Sequence, residues 1–346
     1  MARKVFNKKD FYNLDDHPWL GYKLRYGSGF IAAGRHVLAA PSVISFYEDR
    51  YSDFFSFIKD IQSAAEKGNV LIDLRGVIEV KAGAMLLLYA SIQTLQKKHG
   101  RKNIVRFTKC KLSIISSSFG RLGFWELTKQ LEFLPTAVND NSLEICTTSI
   151  EDTKRNDKAQ LKKIITYTQA AIADAGLDEE NVLAYNAITE SVSNVWQHAY
   201  DNDFVADNFN KTLANWWIIV EKIDDQFFIA VYDIGVGIPT TLERKYWYTV
   251  YYSYTDGKLY EYAADAHRIK MAVEYGRSRF KVDNRGKGLS EAKDFVLSNP
   301  EGAMIIYSGQ GSYIFKTNTG KEKLTKLPSE FPGTLIQWNL KLESKK

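Results

Sequence analysis

The chain has 346 residues, 45% of them hydrophobic, which is enough for two ordinary domains that each bury a core. Its formal charge of +5 divides unevenly, with 21 Lys/Arg against 14 Asp/Glu in residues 1–150 (+7) and 25 against 27 in residues 151–346 (−2), so the second half lacks the basic surface of a general nucleic-acid binder. Only Cys110 and Cys146 are present and no apolar run spans a bilayer; this argues against a disulfide scaffold, a paired-cysteine zinc module and a membrane helix, and predicts a soluble, cytoplasmic protein.

Taken in order, residues 1–50 read as a polar, aromatic lead-in followed by strand-like pieces around Gly29 to Ile44. From Asp53 to Lys67, Phe54, Phe57, Ile58, Ile61 and Ala65 recur at helical spacing, and Gly68 with Asn69 stops the pattern. Val70 to Leu74 predicts a short buried strand, Ala84 to Leu95 a helix packed on a sheet, and Asn103 to Phe107 the next strand. Lys97, Lys98, Arg101 and Lys102 suit a solvated helix end and turn. Strand, helix, strand in succession predicts a parallel or mixed sheet covered by helices. Residues 146–158 lose hydrophobic periodicity, so the predicted division is a first α/β domain over 1–148, a linker over 149–158 and a second domain over 159–346.

In the second half a helix is predicted over Ala159 to Ala175, and another from Asp178 that carries AITESVSNVWQHAY. There Glu190, Asn194 and His198 recur every fourth residue and share one helical stripe. Alone, such a stripe suits a solvated helix face equally well. Strands over Asn215 to Lys222 and Gln226 to Asp233 make a hairpin that runs into DIGVGIP, with Gly235 and Gly237. The segment Thr240 to Asn284 has the length of an active-site lid and carries Tyr246, Trp247, Tyr248, Tyr251, Tyr252, Tyr254, Tyr260 and Tyr262. Those aromatics suit a closing lid, a satellite core or a homodimer surface. Within it, GRSRFK brings Arg277, Arg279 and Lys281. Then follow RGKGL (Gly286, Lys287, Gly288, Leu289), a helix, and strands over Ala303 to Ser308, Ser312 to Phe315 and Thr334 to Leu342. The order predicts an antiparallel-rich α+β layer with helices on one face.

Two family resemblances rest on these segments. NVLIDLRGVIEVKAGAMLLLYASIQTL resembles a STAS domain over roughly residues 20–145, an expectation of strand, turn and a helix opening near Gly83. Phosphorylated members of that family place a serine just before this glycine; here Val80, Lys81 and Ala82 offer no hydroxyl, so that role does not carry over. An α/β packing domain without chemistry of its own fits the same residues. Residues 157–342 resemble a GHKL ATPase domain. AITESVSNVWQHAY is similar to the N box, closest to the serine/threonine kinases that act as anti-sigma factors; DIGVGIP resembles the first glycine box, NRGKGLSEA the second, and FPGTLIQWNL the last, with Thr334 leading into a strand. The whole chain is thus expected to be a two-domain α/β protein, a STAS-like domain followed by a GHKL (Bergerat) α+β sandwich.

The resemblance implies ATP and Mg²⁺ as ligands, and the residue chemistry suits both. An Asn194 carbonyl is the hard oxygen a divalent cation prefers. Glu190 is placed to accept a proton from water or a substrate hydroxyl. Asp233 suits the exocyclic amino group of adenine, and Gly235 and Gly237 let the backbone approach the purine. Gly286, Lys287, Gly288 and Leu289 open a helix whose free N–H groups suit phosphates. Arg277, Arg279 and Lys281 are candidates for the γ-phosphate. His198 fits either the site or a helix cap. The expected function is a regulatory ATPase or protein kinase that acts on a protein partner; the alternative is a non-catalytic, ATP-gated switch.

Overall fold

The computed structural model describes residues 31–32, 34–134, 142–149, 154–174, 180–200, 211–223, 225–242, 264–275 and 288–342. The chain separates into two compact units, Met1–Asp140 and Asn141–Lys346, and its architecture is mixed α/β. No described helix is long and apolar enough to cross a membrane.

The first unit contains β1 (Ile31–Ala32), β2 (Arg35–Ala39), β3 (Val43–Ile44), β4 (Asn69–Asp73), β5 (Glu79–Val80) and β6 (Val105–Phe107). Its main sheet has the order β1-β2-β4-β6; β1 pairs antiparallel, and β2, β4 and β6 are parallel. Two helices, α1 (Tyr51–Lys67) and α2 (Ala82–His99), supply buried faces, and the central β4 run Val70, Leu71, Ile72 is buried on both sides, as parallel strands under helices are. Beyond β6, α3 (Ser113–Arg121) and α4 (Phe124–Leu127) add Phe119, Phe124 and Trp125 around Phe107, with ring centroids 5.2–6.0 Å from it. Helix α2 carries Lys97 and Lys98 in its last turn, cations that suit the negative end of the helix dipole, and Gly100 then takes the left-handed conformation that stops it.

The second unit is one five-stranded antiparallel sheet, β10-β11-β9-β8-β7, built from β7 (Ser142–Ser149), β8 (Asn215–Ile223), β9 (Gln226–Asp233), β10 (Ala303–Lys316) and β11 (Lys321–Lys341). Helices α5 (Lys154–Asp174), α6 (Glu180–Asn194), α7 (Asp265–Tyr275) and α8 (Gly288–Leu297) pack on it through a core that includes Ile164, Ile188, Trp216, Ile218, Phe295 and Trp338. The other face of β8 and β9 is buried as well: Trp217 and Tyr232 pack together, and Tyr232 meets Phe331. An antiparallel sheet with helices on one face predicts a solvated second face, and these residues depart from that expectation.

Three boundaries also differ from the sequence expectations. Ser142–Ser149 belongs to the second unit, not to a first domain over 1–148, because it pairs with β8 from Ser142↔Glu221 to Ser149↔Asn215. The expected 149–158 linker therefore falls inside the second unit, where β7 ends at Ser149 and α5 begins at Lys154. The strands expected at Ala303 to Ser308 and Ser312 to Phe315 are one strand with irregular register around Gly309, and its partner β11 starts thirteen residues before Thr334, from Lys321.

Candidate functional site

Helix α6 widens into a π-turn over Val195–Ala199, a local irregularity that frequently marks functional sites. The turn delivers Ala199 and Tyr200 against the end of β9. The Ala199 carbonyl accepts the Val236 N–H at 3.0 Å, and Gly235 is required there, since a Cβ on it would lie 2.3 Å from that same carbonyl oxygen. The end of β9 faces the middle of β11, with Asp233 in register with Thr334. Gly333, at φ 82°, passes so close that a Cβ would meet the Asp233 carbonyl oxygen at 2.0 Å. Gly237 is also left-handed, at φ 85°. Ser308 of β10 joins these pieces: its hydroxyl accepts the Ile238 N–H at 2.9 Å, donates to the Gly333 carbonyl at 3.1 Å and lies 3.1 Å from the Thr334 hydroxyl.

Between these elements lies a cavity of about 130 Å³. Ser191, Asn194, Val195 and His198 form its helical wall, Val231, Asp233, Thr334 and Ile336 its sheet wall, and Gly237, Ile238, Thr241 and Leu242 the turn beyond Asp233; Ala272 of α7 and Leu289 of α8 complete it. Most of this lining is apolar, and among the described residues Asp233 is its one carboxylate. Asp233 is only 5% exposed. Burial pushes its carboxyl up to about 7, against the opposing effect of the Gly235 N–H, which it accepts at 2.7 Å. A buried carboxyl with free acceptor capacity at an apolar cavity can accept a hydrogen bond from a donor placed there.

The structure brings Asn194, His198, Asp233, Gly237, Leu289 and Thr334 around this one cavity. Gly235 serves it from behind through the contact with Ala199. Gly288 opens α8. Glu190 does not line the cavity; it is half-buried on α6, and burial followed by the negative charge of Glu291 on α8 raises its carboxyl above the ordinary range. The wall follows 191, 194, 195 and 198, the i, i+3, i+4, i+7 stripe of an α-helix, which is turned one residue from the stripe that starts at Glu190. Arg277, Arg279, Lys281, Gly286 and Lys287 lie outside the described residues, as do the eight lid aromatics from Tyr246 to Tyr262.

Sequence reasoning missed Ser191 and Ser308, and it covered Thr241 and Ala272 only within the expected 240–284 lid segment, without singling them out. Val231 and Ile336 carry a usable signal, because each sits two residues from a predicted site residue on a strand and therefore on the same face. Ala272 carries none. Its helix is set by tertiary contacts: Asp265 accepts the Gln310 N–H at 2.7 Å, and Gly311 admits the start of α7, where a Cβ would come within 2.3 Å of the Ala266 nitrogen. No protein-family model and no curated protein matches this chain.

Proposed function

We propose that the second unit binds ATP as a GHKL-type (Bergerat) domain, that the first unit is STAS-like, and that the chain is a cytoplasmic regulatory ATPase or protein kinase acting on a protein partner. The observation that carries this reading is Asp233, a buried carboxyl at a strand end, aimed at an apolar cavity whose opposite wall is the helix bearing Asn194 and His198. In this reading Asp233 accepts the adenine amino group, a donor that guanine lacks at that position. Val231, Ile238 and Ile336 supply apolar surface for the ring, and the Asn194 amide oxygen is the donor available to Mg²⁺ on the phosphates. ATP when bound supplies the phosphoryl group; Glu190, one turn before Asn194, takes the proton from the attacking hydroxyl or water.

A second reading, an ATP-gated switch without turnover, is favoured by one feature: Glu190 stands outside the cavity lining while Ala272, within the lid segment, is part of it. Calorimetry of the full chain with ATP and GTP in the presence of Mg²⁺ tests the common core of both. A clear preference for ATP is expected, and equal affinities would remove the adenine assignment. Phosphate release and phosphotransfer to captured partners then separate the enzyme from the switch.

A further inference from the structure

Tyr200 follows the π-turn directly and is 9% exposed, buried where the turn, β8 and the end of β9 meet. Its hydroxyl donates to the Asn215 carbonyl at 2.6 Å and accepts the Ile234 N–H at 3.1 Å. Ile234 stands between Asp233 and Gly235, the residue whose N–H holds the Asp233 carboxyl. The neighbouring Ala199 carbonyl takes the Val236 N–H, and Gly235 has no side chain to keep that carbonyl away. Two consecutive residues of the helix end, Ala199 and Tyr200, therefore hold the N–H groups on either side of Gly235, those of Val236 and Ile234. Burial and then the charge of Asp233 hold the Tyr200 phenol well above its ordinary range, so its proton stays available for Asn215. Tyr200 itself is not part of the cavity wall.

We propose that Tyr200 is a positioning residue for base selection, its hydroxyl fixing the Ile234 peptide and through it the Asp233 carboxyl, so that a purine bearing a 6-amino group is preferred over one without. This rests on the adenine-nucleotide reading above and extends it from the acceptor to the group that aims it. Hydrogen bonds to a carboxylate are directional, and a displacement of about 1 Å removes most of the discrimination such a bond gives. Without the hydroxyl the Ile234 peptide, the one next to Asp233, loses its anchor, while the Ala199 contact at Val236 and the Ser308 contact at Ile238 hold the turn only further along, and Asp233 gains that freedom.

The test is calorimetry on the full chain with ATP and with purine riboside triphosphate, which lacks the amino group, for wild type, Tyr200→Phe and Tyr313→Phe. Tyr313 of β10 is fully buried, donates to Glu322 at 2.8 Å and does not line the cavity, so its variant loses a buried phenol hydrogen bond elsewhere in the same unit. Wild type should prefer ATP by about tenfold or more, the scale of a hydrogen bond to a charged acceptor. Tyr200→Phe should reduce that preference to about twofold, whereas Tyr313→Phe keeps the wild-type ratio even where both affinities fall. An unchanged ratio in Tyr200→Phe, or equal narrowing in both variants, overturns the assignment. If Tyr200→Phe does not fold, 3,5-difluorotyrosine at position 200 decides, because the fluorines weaken the hydroxyl oxygen as acceptor for the Ile234 N–H while keeping the ring and the bond to Asn215: a narrowed ratio supports the positioning role, a wild-type ratio refutes it. A wild-type chain that binds both nucleotides equally marks the failure of the adenine reading itself and takes this inference with it.

Discussion

Two aspartates end central strands, Asp73 on β4 of the first unit and Asp233 on β9 of the second, and both are under a tenth exposed. Asp73 is enclosed by its own chain. Arg75 donates to it from Nε and a terminal guanidinium nitrogen at 2.8 Å each and from its backbone N–H at 3.1 Å, and the Thr108 hydroxyl adds a bond of 3.1 Å. Asp233 accepts the Gly235 N–H and otherwise faces a cavity. A carboxylate has about four acceptor sites. Where the fold fills them the group is structural, and where it leaves them open beside an apolar wall the group is available to a ligand.

The largest expected effect concerns a third carboxyl, Glu190, also raised by burial and next by the charge of Glu291. If it is the proton acceptor, Glu190→Gln lowers turnover by about 10²–10⁴-fold at nearly constant ATP affinity. Equal phosphate release by wild type and variant would leave the switch as the function. Next comes the contrast itself. Asp73→Ala removes the bidentate acceptor of the partly buried Arg75 guanidinium and should cost about 2 kcal/mol in urea unfolding of the first unit. Asp233→Asn should change stability by less than about 1 kcal/mol at neutral pH but weaken ATP binding by about 10–100-fold. If the two variants lose stability alike, the distinction between a filled and an open carboxyl is wrong.

A pH series sharpens the same contrast. The Asp233 carboxyl is raised from 3.8 to about 7 on folding, so the folded chain holds a proton that the unfolded chain has released. Its contribution to stability is therefore present below about 4 and lost as pH rises through 7, and Asp233→Asn removes that slope. ATP affinity should move the opposite way, rising through the same window as the acceptor ionises. Glu322 gives the reverse sign. Hydrogen bonds from Lys270, Lys293 and Tyr313 outweigh its burial and hold it down to about 2, so its contribution is present above about 4.5 and lost toward pH 2. The smallest effect follows from it. Glu322→Gln weakens the tie of α7 and α8 to β11 and should cost about 1–2 kcal/mol, a shift of about 2–6 °C in the melting temperature of the second unit.

Much of the site was legible because each of its parts is local. Asp233, Gly237 and Thr334 follow directly from strand ends and turns that the sequence marks, and Asn194 and His198 from helical spacing. Ser308 was not legible, since its role depends on β10 lying beside β11, and neither was the exclusion of Glu190 from the wall, since one residue of helix rotation separates the two stripes.

Short-range patterns in the sequence were enough for element type: the buried run Val70–Ile72, the β8–β9 hairpin, and glycines at 237 and 333, where the backbone takes positive φ. Pairing partners and faces were decided only by the tertiary structure. Ser142–Ser149 has no feature that assigns it to β8 until the second sheet offers an open edge. Pro328 and Pro332 argue against a central strand, yet β11 accommodates both because its pairing with β9 begins only at Thr334, beyond the last proline. The face that Trp217 and Tyr232 bury, and the turn of α6 that puts Ser191 rather than Glu190 on the cavity, depend likewise on what packs against them. Dihedral preference and hydrophobic period act over a few residues, whereas register, rotation and edge ownership are set by contacts between residues far apart in the chain.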